Sequence, residues 1–154
     1  MRRRWITLTA IGGIVVLGMA AFILLQRTAP PAADPNNAAQ VEAGRVVYVE
    51  NCASCHGEKL EGQPNWRERK ADDKLPAPPH DATGHTWHHA DSQLFDIIKR
   101  GVAAIVPGYQ TDMIGFGDRL SDQEIWSVIA YIKSTWPAEN LARQMEISRR
   151  ASGQ

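Results

Sequence analysis

The pentapeptide Cys52-Ala53-Ser54-Cys55-His56 decides how the rest of the chain is read. On a helical turn two thiols three positions apart share a face, and here an imidazole follows at once. The arrangement suits covalent haem attachment: each thiol adds to a vinyl group, and His56 then lies under the iron. These two cysteines are the only ones in the chain, so the motif uses the whole supply. A dithiol redox motif and half a zinc site are the alternatives. Zinc wants four protein ligands, or three and a water, and no second cysteine pair exists. A thioredoxin-type dithiol wants a βαβ setting that the surrounding sequence does not offer.

At 154 residues, less a terminal segment and a linker, the chain has room for one small domain. The formal charge is zero, but residues 1–27 hold four arginines and no acid, leaving 13 basic and 17 acidic residues beyond them. A net negative domain without a basic stripe argues against nucleic acid as a partner. A domain of roughly a hundred residues is marginal on its own apolar core, and a buried haem would supply much of the missing hydrophobic surface.

Ile6 to Leu25 is uncharged and almost wholly apolar over twenty residues, about 30 Å at helical rise, which matches a bilayer core. Arg2, Arg3 and Arg4 precede it and only Arg27 follows, so the N-terminus is expected on the cytoplasmic side. A cleaved signal peptide competes, with Gly18-Met19-Ala20 as its processing site, although the apolar run continues past the usual signal core. Residues 1–27 are therefore expected to be a transmembrane anchor. Localisation is expected at the inner membrane, single-pass, with the haem domain on the periplasmic side. Residues 28–39, rich in alanine and proline, read as a semi-extended tether.

The domain runs from about residue 40 to 137. Val41, Val46, Val47 and Val49 punctuate a helix that carries Gly44 and leads into Cys52. An interior glycine costs about 1 kcal/mol against alanine, which points to close packing with another helix, and Tyr48 lies over the same face. After His56 comes a glycine- and proline-bearing loop, and the Pro64 region is placed to supply a carbonyl to the second ring nitrogen of His56. Arg67 to Lys74 reads as a solvated charged surface. Asp91 is expected to cap a helix through Arg100, stopped by Gly101. Ser121-Asp122-Gln123-Glu124 is a capping box opening a helix with Ile125, Val128, Ile129 and Ile132 in one stripe. Residues 138–154 read as a weakly amphipathic tail helix with Leu141 and Met145 inward.

Two stretches offer a second axial ligand. The first holds His80, His85, His88 and His89 behind three prolines. It reads as a haem ligand, a separate copper site, propionate contacts or a covering loop in which Trp87 shields a haem edge. The second is the glycine-rich loop that carries Met113. Thioether sulfur is a soft iron ligand, and His/Met ligation raises a haem's potential. Met1 and Met19 lie in the N-terminal segment and Met145 in the tail, which leaves Met113. The alternative is a methionine that merely fills a gap.

Taken together, the CxxCH motif, the glycine-bearing helix before it and the methionine loop before a capped helix resemble class I c-type cytochromes over residues 40–137. The resemblance implies an all-α cytochrome c fold around one covalent haem c, with the first and last domain helices crossing so that Gly44 and Tyr48 meet Trp126, Ile129 and Ala130. It also implies thioethers from Cys52 and Cys55, with His56 and Met113 as axial metal ligands. One departure is Ile114, where the family often places proline after the ligand methionine. Many anchored members are bacterial respiratory carriers or oxidase subunits. The expected partners are membrane-bound or periplasmic redox proteins as electron donor and acceptor, and the membrane itself through the N-terminal helix. The expected function is one-electron transfer without catalysis of its own. An open iron site for gas or peroxide chemistry, and copper handling by the His80–His89 loop, are the competing functions.

Overall fold

The structure is a computed structural model that describes residues 32–153. The first helix, α1 (Ala38–Asn51), is capped by Asn37, whose side-chain oxygen accepts the Gln40 N–H. Gln40 in turn donates to the Ala32 carbonyl at 2.8 Å and accepts from the Asp34 N–H at 3.0 Å. Residues 32–37, part of the stretch read as a tether, are thereby folded onto the helix start, with Ala33 only 6% exposed.

The backbone continues from α1 through Cys52 into a single turn, α2 (Ala53–His56). It stops at Gly57, whose φ of +83° an L side chain rarely adopts. A 3₁₀ turn over Thr86–His88 leads to α3 (Asp91–Arg100) and the short α4 (Val102–Ile105). The capping box at Ser121 forms as expected and opens α5 (Asp122–Ser134), and α6 (Ala138–Ala151) follows Pro137. The only β-bridge recorded among the described residues is an isolated antiparallel one between Gly101 and Ile114.

α1 and α5 cross at Gly44, where a Cβ would overlap the Ser127 carbonyl group and reach the Tyr131 Cβ at 3.0 Å. Glycine is what lets the two backbones touch. Around this crossing Tyr48, Ile125, Val128, Ile129, Ala130 and Ile132 form the centre of the core, with Leu60, Leu94, Phe116, Leu120 and Trp136 about it. Trp126 packs at the margin of this core and stacks on Phe95 of α3 with ring centroids 4.6 Å apart.

Three expectations are corrected. The single-pass transmembrane reading, and with it the inner-membrane localisation with a periplasmic haem domain, is overturned: no helix among the described residues is long and apolar enough to cross a membrane. The longest, α1 and α6 at 14 residues each, extend about 21 Å, short of the ~30 Å of a hydrocarbon core. The segment 6–25 on which that expectation rested lies outside the described residues. Second, Asp91 is not a cap. It is the first residue of α3 after Ala90, and its carboxylate turns to Lys133 at 2.7 and 2.9 Å. Third, only half of the expected inner face of α6 forms. Leu141 packs against the core, but Met145 is 54% exposed and Gln144 is fully buried in its place, its amide nitrogen within hydrogen-bond distance of the His89 carbonyl, Asp91 Oδ1 and Ser148 Oγ.

Candidate functional site

The site is built on the turn that joins α1 to α2. The Cys52 N–H donates to the Tyr48 carbonyl, and the Cys55 and His56 N–H groups both donate to the Cys52 carbonyl. The turn is thus helical, and residues 52, 55 and 56 fall on neighbouring rows of one face. Both cysteines are free thiols, Cys52 part-buried and Cys55 exposed. Burial, and secondarily the nearby Cys55, push the Cys52 thiol up to about 11. A redox dithiol needs the opposite, a lowered thiolate pKa. No group of three or more His, Cys, Asp or Glu side chains among the described residues converges as a metal site, which removes the zinc reading.

His56 is 7% exposed, and its Nδ1 lies 2.9 Å from the Pro78 carbonyl oxygen. A carbonyl can only accept, so Nδ1 carries the proton and Nε2 keeps its lone pair. Burial lowers the His56 pKa, with the Pro78 hydrogen bond acting the other way. The result is a neutral imidazole with one nitrogen oriented by the backbone and the other available to a metal. The carbonyl comes from Pro78, not from the Pro64 region. Paired backbone bonds fold the 57–64 loop onto 77–80: Gln63 N–H to the Ala77 carbonyl at 2.8 Å and His80 N–H to the Leu60 carbonyl at 2.8 Å. Gly62 allows the approach, since a Cβ there would overlap the Pro78–Pro79 backbone.

The histidine-rich loop does not act as one group. His80 lies face to face with His56, centroids 4.0 Å apart and planes 23° apart. Stacked rings do not point nitrogen at nitrogen, so His80 is not arranged as the ligand opposite His56. Burial, then the neighbouring His56 and His85, hold the His80 pKa well below the usual imidazole range. His85 stacks on Trp66 at 5.5 Å, and His88 packs against Trp87 at 3.8 Å. The copper reading is left without a ligand set among the described residues.

Met113 is partly buried against the same apolar cluster as Cys52, Ala53, Trp87 and Ile98. Its loop is pinned after it by the Gly101–Ile114 bridge and by Phe116 and Gly117 N–H bonds to the Ile98 and Lys99 carbonyls at 2.9 and 3.0 Å. It is pinned before it by Asp112, which Lys70 holds at 3.0 Å and Lys74 at 2.5 Å. Those lysines, Lys74 foremost, lower the Asp112 pKa. The segment 67–74 is largely exposed, as expected of a solvated surface, and its Lys70 and Lys74 pair with the residue before Met113. Two thiols and an oriented neutral imidazole on one turn, with a single thioether in a fastened loop, form a donor set that fits a covalently held haem.

The cytochrome c family model matches residues 41–136. Over 131 residues, 81% of this chain, the sequence is 29% identical to a nitrite reductase of Stutzerimonas stutzeri, covering 20% of that protein. Over 97 residues, 62% of this chain, it is 33% identical to a cbb3-type cytochrome c oxidase subunit CcoP of Azospirillum brasilense, covering 28% of it. A cbb3-type oxidase subunit FixP of Azorhizobium caulinodans is 29% identical over 92 residues, 59% of this chain and 28% of the relative. The chain thus spans less than a third of the length of these curated relatives.

Proposed function

We infer the function from one premise: the chain belongs to the cytochrome c family. It carries haem c and transfers electrons through it. The observation that carries the fuller reading is the Cys52–His56 turn with the His56 Nδ1–H committed to Pro78. In this reading Cys52 and Cys55 form the thioethers, and His56 Nε2 and the Met113 sulfur are the axial ligands. The functional domain in this reading is the expected residues 40–137 together with residues 32–39, which fold onto and begin α1, followed by the tail at 138–154.

When bound, the haem supplies reversible one-electron iron chemistry. The chain does the rest. Pro78 holds the His56 ring in the tautomer whose Nε2 can ligate. Asp112, Lys70 and Lys74 hold the Met113 loop closed. The stacked His80, the core residues Leu60 and Leu94, and Trp87 exclude water. With His56 and Met113 both holding the haem iron, no position would be left for a substrate, and the protein would act as a carrier rather than as an enzyme in its own right. Its relatives are named for a cbb3-type cytochrome c oxidase and a nitrite reductase. That supports partners among the redox proteins of a bacterial respiratory chain.

Carbon monoxide tests the ligand set. The reduced wild-type protein is expected to bind it negligibly, while Met113→Ala binds it readily and has a lower midpoint potential. Ready binding by the wild type would establish the open-iron function instead. An unchanged spectrum in Met113→Ala would remove Met113 from the ligand set.

A further inference from the structure

The packing that holds His56 does not end at Pro78. The His80 ring lies against it at 4.0 Å and is itself anchored. The Thr86 hydroxyl donates to the Pro79 carbonyl at 3.4 Å, so its oxygen is left to accept the His80 Nδ1–H at 2.8 Å. Below the ring the backbone is held twice, by the His80 N–H bond to Leu60 and by the Trp136 indole N–H, which donates to the His80 carbonyl at 2.8 Å. Tyr48 meets the edge of the His80 ring with centroids 6.3 Å apart and planes at 73°. Neither imidazole can rotate about its χ2 without losing a hydrogen bond.

An aliphatic side chain would fill the same space without burying polar nitrogens. What histidine adds is a flat ring with a fixed plane. We propose that His80 is a positioning residue for His56: its anchored ring fixes the plane of the ligand imidazole and keeps water from the His56–Pro78 hydrogen bond. The proposal rests on His56 being a haem ligand. The His56–Pro78 hydrogen bond is the kind of outer-shell contact that sets a ligand's orientation and basicity, so loss of the stack beside it should be read at the iron as well as in the fold.

The test uses the full haem-loaded chain, comparing wild type with His80→Ala, His80→Phe and Thr86→Val. The readouts are the electron paramagnetic resonance g-values of the ferric form, the midpoint potential, and covalent haem content. In His80→Ala the g-values are expected to move, and the oxidised-to-reduced ratio at a fixed potential to rise threefold or more as water reaches the ligand. His80→Phe, which keeps a flat ring, is expected to return the g-values towards wild type. Thr86→Val, which frees the His80 ring, is expected to shift them at unchanged haem content. Wild-type g-values and potential in both His80→Ala and Thr86→Val would overturn the proposal, as would a His80→Phe signal displaced as far as that of His80→Ala. If His80→Ala fails to load haem, the other two variants decide by the same criteria. A wild-type protein with covalent haem but no imidazole-ligated low-spin signal overturns the His56 assignment and this proposal with it. Unchanged variants overturn this proposal alone.

Discussion

At the scale of single residues, the chemistry depends on which atoms are already committed. His56 gives its Nδ1 proton to Pro78 and so has one nitrogen left for a metal. Asp112 spends its carboxylate on Lys70 and Lys74, next to the candidate ligand Met113. Such exposed pairs contribute little to overall stability, but they bear on a loop whose opening would free an iron site. Asp112→Ala is therefore expected to leave the thermal midpoint nearly unchanged. The same variant should raise the rate at which the reduced protein binds carbon monoxide, followed by stopped-flow absorbance, and added salt should do the same to the wild type. Equal rates in variant and wild type would show that the clamp plays no part. Cys52, Cys55 and His56 were legible in the sequence because their geometry is local, set by one helical turn. Pro78, which lies 22 residues from His56, and Asp112, paired across 38 and 42 residues, were not, because only the folded chain brings them to their partners.

At the scale of elements, the α1–α5 crossing and the placement of α6 depend on opposite kinds of contact. The crossing is backbone against backbone. Gly44→Ala drives a methyl group into the Ser127 carbonyl, an overpacking expected to cost about 2–3 kcal/mol in a denaturant titration. A loss below about 0.5 kcal/mol would mean that the helices part at little cost. The glycine was readable as a packing signal, but the residues nearest to it, Ser127 and Tyr131, were not among the Trp126, Ile129 and Ala130 expected there. α6 is held by a polar network. Lys133, with a side chain 3% exposed, pairs with Asp91, and the buried Gln144 amide joins that carboxylate to the His89 carbonyl. Lys133→Met leaves Asp91 without its cation, at an expected cost of about 2–3 kcal/mol given that Asp91 is partly solvated. Hydrogen exchange should speed up in α6 before it does in α1. Uniform protection in both helices would contradict this. The place of Met145 was not legible because apolar periodicity put it inward beside Leu141, whereas the fully buried position next to it is taken by Gln144, whose amide nitrogen reaches the His89 carbonyl and the Asp91 carboxylate while its carbonyl oxygen has no partner.

At the scale of the whole molecule, titration and cofactor act on the same fold. His80 has a pKa well below the imidazole range in the folded chain, chiefly from burial. An unfolded histidine titrates near 6.5, so below that pH the unfolded chain binds more protons than the folded one. The contribution of His80 is thus fully present above about pH 6.5 and is lost as the pH falls towards its folded value. Denaturant midpoints of the haem-loaded protein are expected to be level from pH 8 to 7 and to fall from pH 6.5 to 5. His80→Phe should flatten that slope, and an equal slope in the variant would assign it to other groups. The cofactor matters more. The core around Tyr48 and Ile129 belongs to a domain too small for a large apolar reserve. Cys52→Ser with Cys55→Ser is expected to give a chain without covalent haem and with a markedly lower thermal midpoint, checked by haem-stained denaturing gel and by circular dichroism. The helical class and the covalent haem motif were legible at this scale because they follow from patterns of a few residues. A long apolar stretch, by contrast, did not establish a membrane-spanning architecture, and among the described residues no helix has that character.

A redox-poised optical titration of the purified chain decides whether it is a one-electron carrier with a covalently held haem. The c-type haem bands are expected to stay with the polypeptide on denaturation. A single reversible one-electron transition is expected, and a ferric spectrum with the weak methionine-to-iron charge-transfer band. A chain that retains no haem on denaturation, or a spectrum that does not change with applied potential, would contradict it.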